Sequence, residues 1–406
     1  MKKNTHRSLL ERLVVAGALA IGALGCASES SPEGSAVSQQ ALANRAYIVS
    51  LLSDELTVID LTRLEIIARV PTGGVSNHMA ELNADFTKVY VDSSDTDETV
   101  VVDARALEVI KRIATGRHPT HISLSRDGSL FAVMAEDEGS GAVSFIDPAR
   151  DEEVKRLPGF YTPHFMRFSP DGRYGYVANI NAHHLTRVEL GSLEIESHIA
   201  LDGFQGPPNA TEAPEEGGFG DAQIDASGTL YAAHNATNRV LVYDTVAQVK
   251  LPELAVGASP WIVFAEHPFA ELPLRHLVPN FGDRTVSLID GGPAASVVTA
   301  LPGDEQAYGV NFSSQAPNKA FVMNRIRQDV AVVDTTSGEI TTRIPVGGNT
   351  ETAATTADGR WIVAAVSGAD RVVVIDAVTN EIVKTFENVG RYPWSVTIPR
   401  GQNYCH

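Results

Sequence analysis

ETAATTADGRWIVAAVSGADRVVVIDAVTNEIVKTFENVG, residues 351–390, contains one complete repeat of this 406-residue chain. It holds four short β-prone runs, here called strands A to D, separated by turn-forming residues. A turn is predicted after strand A at Asp358 and Gly359, because Gly readily adopts a positive φ and Asp can cap a turn with its carboxylate. A four-stranded unit of this size cannot bury both faces alone, so it requires copies on either side.

The ending of strand C recurs along the whole chain, as a three-residue motif that closes with Asp in all copies but the fourth. The copies lie at residues 58–60, 101–103, 145–147, 188–190, 242–244, 288–290, 332–334 and 374–376. Successive copies are 43, 44, 43, 54, 46, 44 and 42 residues apart. The closing Asp residues are predicted to form the turns between strands C and D.

The eight copies predict an all-β protein, a single eight-bladed β-propeller of four-stranded antiparallel blades over residues 44–402. The chain begins with strands B, C and D and ends with a lone strand A at residues 394–398. We expect this strand to pair with residues 46–51, which closes the ring and leaves no open sheet edge at the seam. An open solenoid is the alternative, and the split first blade argues against it. Residues 403–406 are expected to form a tail.

Residues 1–26 have the composition of a secretory leader, in which four basic residues precede an apolar run at 13–24. That run is too short for a membrane-spanning helix. Ala-Leu-Gly-Cys at residues 23–26 resembles the lipobox of bacterial lipoproteins. The resemblance implies a lipid on Cys26 and an exported protein anchored on the periplasmic side of the envelope, at the outer membrane, or at the cell surface. An ordinary signal peptide is the alternative, and residues 27–43 are predicted to be a flexible tether.

Charge and cysteine content exclude several classes of protein. The formal net charge is −18, and the leader carries four basic residues and one acidic residue, a net +3, so the mature chain has −21. This charge repels phosphate backbones and argues against nucleic-acid binding. Only Cys405 remains after Cys26, so the propeller holds no intrachain disulfide. The ending Asn-Tyr-Cys-His lacks the first cysteine of a CxxCH motif, which argues against covalent c-type haem. We also expect the protein to be a monomer.

Ser-Pro-Asp-Gly-Arg-Tyr-Gly-Tyr-Val-Ala-Asn at residues 169–179 and Val-Ile-Asp at 374–376 resemble the YVTN-type β-propeller repeat. With eight blades, the chain is also similar to the d1-haem (cytochrome d1-like) propeller of nitrite reductase and to related propellers that handle haem d1 late in its biosynthesis. The resemblance implies the fold for nearly all of the mature chain. The sequence contains no recognisable cytochrome c domain, so nitrite reductase activity is not expected.

Histidines gather on one face of the predicted ring. The connections from strand D to A and from B to C share this face, called the upper face below, whereas the A–B and C–D turns share the lower face. His78, His121 and His164 stand where strand A begins on three successive blades, nearest the axis. Because packed sheets are roughly 10 Å apart, these imidazoles could share one transition metal or flank one planar ligand. The alternative is that they fill the mouth as hydrogen-bonding groups.

Two further sets of residues belong to the predicted mouth. His183, His184 and His234 lie on neighbouring B–C loops, either as outer metal ligands or as solvated loop residues. The second set is aromatic or basic and suits a haem d1-like tetrapyrrole, with arginine meeting its carboxylates. It consists of Trp261, Tyr308, Trp394 and Arg391. The alternative is that these aromatic rings plug the channel without a ligand.

Three functions remain open from the sequence. The first is an exported, lipid-anchored propeller that binds a transition metal or a haem d1-like tetrapyrrole, in redox chemistry or cofactor handling. The second is a scaffold whose upper face holds a protein or an envelope polymer, and the third is a lactonase-type hydrolase or lyase. No GxSxG, P-loop, HExxH or EF-hand spacing occurs, so the sequence does not establish an enzyme. The insertion at 202–218 is either a lid over the mouth or a surface loop.

Overall fold

Eight antiparallel sheets form the blades of the propeller. The computed structural model describes residues 37–136, 141–206, 217–265, 275–303 and 306–403. The strands of blades one to four, apart from the one that closes the ring, are β1 (Arg45–Ser50), β2 (Glu55–Asp60), β3 (Glu65–Pro71), β4 (Asn77–Leu82), β5 (Lys88–Ser93), β6 (Glu98–Asp103), β7 (Glu108–Ala114), β8 (Pro119–Leu124), β9 (Phe131–Ala135), β10 (Gly141–Asp147), β11 (Glu152–Phe160), β12 (Pro163–Phe168), β13 (Tyr174–Asn179), β14 (His184–Glu189) and β15 (Glu194–Ala200).

The second half of the ring repeats this order. Its strands are β16 (Phe219–Ile224), β17 (Thr229–His234), β18 (Arg239–Asp244), β19 (Val249–Ala255), β20 (Phe264–Ala265), β21 (Arg275–Asn280), β22 (Thr285–Asp290), β23 (Ser296–Pro302), β24 (Ala307–Phe312), β25 (Lys319–Asn324), β26 (Asp329–Asp334), β27 (Glu339–Pro345), β28 (Thr350–Thr355), β29 (Trp361–Val366), β30 (Arg371–Asp376), β31 (Ile382–Glu387), β32 (Pro393–Thr397) and β33 (Gln402–Asn403). The described helices are α1 (Gln39–Ala43) and 3₁₀ turns at Asn235–Thr237 and Ser367–Ala369, and no described helix is long and apolar enough to cross a membrane.

The ring closes as predicted. β32 pairs antiparallel with β1, so the last inner strand completes the first blade with β2 and β3. The Cα register places Ile48 opposite Val396. β33, which the sequence did not predict, adds a fifth strand to the eighth blade by pairing with β28. The first and last described strands, β1 and β33, therefore lie in neighbouring blades, and the seam has paired strands on both sides.

Alternation along the strands explains how the blades pack on each other. In β5, Val89 and Val91 face the first blade, whereas Tyr90 between them faces the third blade. The fourth strand of each blade is the solvated edge, as predicted, and β11 alternates exposed and half-buried residues along most of its length. Each blade packs against a neighbouring blade on either side, and its inner strand is the one nearest the axis of the ring. The start of that strand therefore lies at the rim of the central channel.

The turns use the residues that the repeat predicts. Asp376 Oδ1 accepts hydrogen bonds from the backbone N–H groups of Val378 and Thr379, both at 2.9 Å. In the A–B turn of the eighth blade, Asp358 Oδ1 accepts a bond from the N–H of Arg360, and Gly359 has a φ of 72°. These carboxylates account for much of the acidic composition without a binding role.

Helix α1 lies within the segment that the sequence assigns to a flexible tether. Leu42 is fully buried against the cluster between the first two blades, and Ser38 caps the helix by accepting from the N–H of Ala41. Gln39 donates to the backbone carbonyl of Asp85, in the A–B turn of the second blade. The chain therefore enters the ring on the lower face, and its ordered part begins before the predicted boundary at residue 44.

Candidate metal centre

One extra residue interrupts strand pairing at the start of most inner strands. The Cα register shifts between Asn77 and Ala80 in β4, between Pro119 and His121 in β8, and between Pro163 and Met166 in β12. The same shift recurs in β16, β24 and β28. A bulge bends the strand and redirects the side chains next to it. Each bulge thus turns residues at the upper end of its strand out of the regular ladder.

Three of these bulges bring His78, His121 and His164 together. The ring centroids of His78 and His121 are 4.8 Å apart, and those of His121 and His164 are 4.0 Å apart. His121 and His164 are 1% and 5% exposed, and His78 is half-buried. The three imidazoles converge, as the equivalence of their positions predicts.

Glu136, directly after β9, adds a carboxylate to this group. Its Oε1 lies 3.8 Å from His121 Nδ1 and accepts a 2.8 Å hydrogen bond from the hydroxyl of Thr120. The same hydroxyl lies 2.9 Å from His121 Nδ1. One donor atom each of His121, Glu136 and His164 lies within 4.8 Å of the others, and Thr120 holds two of the three in place.

The donor set suits a transition metal. Bonds of about 2.1 Å to a tetrahedral ion place ligand atoms roughly 3.4 Å apart, so the group needs a contraction of roughly 1.4 Å at its widest pair. Imidazoles with one carboxylate are common ligands of zinc and iron(II), whereas calcium and magnesium prefer oxygen alone. His164 Nδ1 is buried and has no hydrogen-bond partner among the described residues. A buried imidazole nitrogen without a partner is an atom that a metal ion would satisfy.

Burial keeps these histidines neutral. Burial lowers the pKa of His78 to about 4, although a hydrogen bond with the Thr120 backbone raises it in part. Burial lowers the pKa of His164 to about 3. His164 also hydrogen-bonds the backbone of Gly220. At pH 7 both imidazoles are therefore in the unprotonated form that binds metal ions.

The remaining blades place aromatic residues at the same rim. The indole of Trp394, in the β32 segment, lies 5.7 Å from the ring of His78, and that of Trp261, before β20, lies 6.1 Å from His164. Gly220, in the β16 bulge, permits the second approach, because a Cβ there would lie 2.3 Å from the Trp261 carbonyl oxygen. The three imidazoles are thus enclosed by indoles on both sides.

A paired acid and base occupy the far side of the mouth. Glu351, in the β28 bulge, is 1% exposed, and its Oε2 accepts a 2.8 Å hydrogen bond from Arg325 Nη2. Its Oε1 lies 2.8 Å from Arg325 Nε, so the two groups form a close ion pair. The guanidinium carbon of Arg325 lies 4.2 Å from the ring of Tyr308. Tyr392 also donates to Glu351, at 3.4 Å. This carboxylate is fully engaged with neighbouring side chains.

Arg391 is exposed on the upper face near the seam. Its backbone N–H donates to the hydroxyl of Ser53, and its carbonyl accepts from the N–H of Leu52. These backbone contacts fix the loop and leave the guanidinium at the surface. Among the described residues, no hydrogen bond or ion pair links the side chain of Arg391 to the inner histidines with which the sequence grouped it.

The outer histidines divide into two sets. His183 Nδ1 lies 2.9 Å from His234 Nε2, and the ring of His183 stacks on Phe204 at 4.0 Å. His184 points to the other side, because successive residues at a strand start face opposite ways. Its ring lies 4.8 Å from that of His198, both of its nitrogens are buried without a hydrogen-bond partner among the described residues, and burial lowers its pKa to about 3.

Two features of this centre were absent from the sequence predictions. Glu136 follows a buried strand at the upper end of the blade that carries His121, and Pro119 pairs with Ala135, so its position in the repeat could have indicated it. No residue type in the sequence distinguishes a bulged strand start from a regular one. Cys26, residues 207–216 of the insertion and residues 404–406 lie outside the described residues.

Comparisons with known proteins agree with the fold. Residues 76–195 match the model of the YNCE-like beta-propeller family, which is less than a third of the chain but includes the three inner histidines. The structure is similar to that of dihydro-heme d1 dehydrogenase NirN in complex with DHE, with a TM-score of 0.70 and 17% identity over 88% of this chain and 76% of NirN. No curated protein matches the chain by sequence.

Two further solved structures show the same architecture. Hydrazine synthase of Kuenenia stuttgartiensis aligns with a TM-score of 0.53 and 17% identity, covering 80% of this chain and 90% of that one. Apo AztD from Citrobacter koseri aligns with a TM-score of 0.61 and 12% identity, covering 87% and 96%. At these identities the likeness shows the propeller fold alone.

Proposed function

We propose that the chain is a metal-binding propeller that holds one transition-metal ion between His121, Glu136 and His164. The observation that carries the proposal is that these three side chains bring one donor atom each within 4.8 Å of the others. His78, 4.8 Å from His121 by ring centroids, supplies a fourth side chain at the half-buried end of the group. The donor set favours zinc or iron(II) over calcium or magnesium.

The residues around the ligands have distinct roles in this proposal. Thr120 orients His121 and Glu136 through its hydroxyl, and Trp261 and Trp394 restrict water at the sides. Burial keeps the imidazoles unprotonated, which removes the need to displace protons on binding. A bound ion of this class supplies Lewis acidity or electron transfer.

The proposal is tested with the mature chain purified without a polyhistidine tag and stripped of metal. Zn²⁺ is expected to bind at one equivalent, measured by titration against a chromophoric chelator. His164→Ala and Glu136→Gln should each weaken binding by at least about tenfold, close to 1.4 kcal/mol. The exposed His118, in the loop before β8, provides the matched control His118→Ala, which should bind like the parent.

The melting temperature of each metal-free variant separates a lost ligand from a lost fold. Equal Zn²⁺ affinity in the parent, His164→Ala and His118→Ala would contradict the proposal. If the upper face instead holds a protein or polymer without chemistry, the purified protein should contain no stoichiometric metal. The same measurement therefore distinguishes the metal protein from the interaction scaffold.

A haem d1-like tetrapyrrole is the second candidate ligand. It is favoured by the aromatic rim and by the similarity of the fold to NirN, whose solved complex contains DHE. It is disfavoured by the contact between the inner imidazoles. The ring centroids of His121 and His164 are 4.0 Å apart, which is too close for a planar ligand to lie between them. Absorbance of the purified protein decides the matter, since a bound tetrapyrrole gives a Soret band and a zinc site does not.

We also propose that the protein is exported and anchored by a lipid on Cys26, on the basis of the leader sequence. Cys26→Ser should move the protein from the membrane fraction to the soluble exported fraction. The parent should remain with membranes after a high-salt wash, which removes proteins held by charge alone. Sedimentation of the Cys26→Ser variant with membranes would show that the anchor lies elsewhere.

A further inference from the structure

A cavity of about 400 Å³ opens at the lower end of the same inner strands that carry the histidines at their upper ends. Its lining includes residues from the ends of β4, β8, β12 and β16 and from the segment after β32. His78 and Glu81, for example, are three residues apart on β4, or roughly 10 Å along the strand. The lower cavity thus lies below the metal centre and shares β4, β8 and β12 with it. The ring of Phe165, 5.9 Å from that of His121 by centroids, lies between the two sites.

Positive charge distinguishes the lower cavity from the rest of this acidic protein. Arg126 and Arg400 line it, and neither forms an ion pair with a carboxylate within the described part of the chain. Arg126 Nε donates to the backbone carbonyl of Phe168 at 3.3 Å, which holds its guanidinium at the rim. The guanidinium carbon of Arg400 lies 5.1 Å from the ring of Phe86. Two exposed guanidinium groups at one opening attract anions.

The acidic residue that lines this opening, Glu81, does not cancel that charge. Arg167, which also lines the cavity, pairs at 2.9 Å with Asp221 outside the lining, and Asp221 accepts from Gln223. Glu81 accepts a hydrogen bond from the N–H of Leu82 at 2.8 Å, and burial raises its pKa to about 7. Glu81 is therefore protonated in a large fraction of molecules at neutral pH. The balance of charge in the cavity remains positive.

The cavity also offers a neutral donor and an apolar wall. Ser123 is 6% exposed, lines the cavity, and its hydroxyl has no hydrogen-bond partner among the described residues. A buried hydroxyl without a partner costs free energy that a bound ligand atom would recover. Phe165, 4% exposed and covered on one face by Arg167 at 3.8 Å, provides the wall.

We propose that the lower cavity binds a small organic oxyanion with an apolar body, its carboxylate or phosphate held by Arg126 and Arg400 and by the hydroxyl of Ser123. The volume lies in the usual range for small-molecule sites. Guanidinium groups match both oxyanions in geometry. The site does not depend on metal at the upper mouth, so each proposal can fail without the other.

The test uses the mature chain and four probes: benzoate, phenyl phosphate, and the neutral analogues benzamide and phenol. Titration followed by ligand-observed NMR should show binding of at least one anion below 10 mM and no binding of the neutral analogues. Tighter binding of benzoate assigns a carboxylate ligand, and tighter binding of phenyl phosphate assigns a phosphate ligand. Absence of binding by both anions overturns the proposal.

Variants locate the site. Arg126→Ala and Arg400→Ala should each weaken anion binding by about tenfold. Glu81→Gln should tighten it, because this change removes the carboxyl group that lines the cavity. Arg63, exposed on a lower-face turn and paired with Glu65, provides the control Arg63→Ala, which removes the same charge elsewhere. Equal affinity in the Arg126→Ala and Arg63→Ala proteins overturns the proposal, since it would show that net charge alone holds the probe.

Discussion

Two halves of the upper mouth are built on the same backbone device and differ in how their polar groups are satisfied. The histidine half consists of His78, His121 and His164, and the aromatic half consists of Tyr308, Glu351 and Trp394. In the aromatic half, the buried carboxylate is paired with Arg325 and Tyr392. In the histidine half, His164 keeps a buried nitrogen without a protein partner in the described part of the chain.

This difference separates a structural use of polar residues from a functional one. A satisfied ion pair fixes the loops that carry it and leaves no hydrogen-bonding group available to a ligand. Neutral imidazoles held together in a buried group lower stability at acid pH and bring no pairing energy of their own. Proteins retain such arrangements where a ligand recovers the cost.

The largest expected effect contrasts one carboxylate from each half. Glu351→Ala leaves the guanidinium of Arg325 without its main partner and should lower the free energy of unfolding by about 3 kcal/mol. Glu136→Ala removes a half-buried carboxylate and should cost less than about 1 kcal/mol, while Zn²⁺ affinity falls by at least about tenfold. Urea denaturation and metal titration on both variants give the two readouts. A reversal of this order would show that Glu136 is the structural residue.

The next effect concerns Asp92, on β5 of the blade that carries His78. Its carboxyl is fully buried, accepts one bond from Thr99 at 3.0 Å, and burial raises its pKa to about 8 from 3.8. Because the folded protein holds this proton more tightly than the unfolded chain, the contribution to stability is fully present below pH 4 and is lost as pH rises through 8. The parent should therefore lose roughly 4 kcal/mol between pH 5 and pH 9 relative to Asp92→Asn. Parallel pH profiles of the two proteins would refute a neutral Asp92.

A smaller effect is expected for the threonine that orients two ligands. Thr120→Val keeps the shape of the side chain and should weaken Zn²⁺ binding by about tenfold, because it removes the hydroxyl that contacts His121 and Glu136. Thr352→Val is the matched control, since Thr352 lies in the β28 bulge and its hydroxyl bonds the Trp394 carbonyl. It should change thermal stability and leave Zn²⁺ affinity within about twofold. Equal affinities of the two variants would place no orienting role on Thr120.

The smallest effect is expected for the outer pair. His183→Ala removes the hydrogen bond to His234 and should lower stability by about 1 kcal/mol. Zn²⁺ affinity should stay within about twofold of the parent, because the pair is linked to Phe204 and Thr237 and not to the proposed ligands. A tenfold loss of affinity would extend the metal centre to the outer histidines.

Much of this architecture could be predicted from the sequence, because the repeat imposes the same turn chemistry eight times. Asp376 and Gly359 form the turns that their positions predict, and the offset of strand A predicts the β1–β32 seam. The convergence of the inner histidines could also be predicted, since equivalent positions on successive blades must be neighbours. Each of these predictions depends on a pattern that is local or exactly periodic.

The rest depends on contacts that no period encodes. The position of Glu136 in the repeat could have indicated it, but its bond from Thr120 and its approach to His121 are tertiary contacts. Helix α1 is held by the burial of Leu42 against the first two blades. From the sequence, His183, His184 and His234 form one outer set, yet alternation along a strand sends His183 and His184 to opposite sides. This division could have been predicted, because the alternation is a property of any strand start.

The packing of α1 braces two blades from the lower face. Leu42 is fully buried in the cluster that the first two blades share, and Gln39 donates to the backbone carbonyl of Asp85 in a turn of the second blade. The first blade is also the one that β32 completes at the seam. The helix therefore reinforces the interface beside the ring closure, and local opening of the ring at this interface should cost more free energy than at blades held by sheet packing alone.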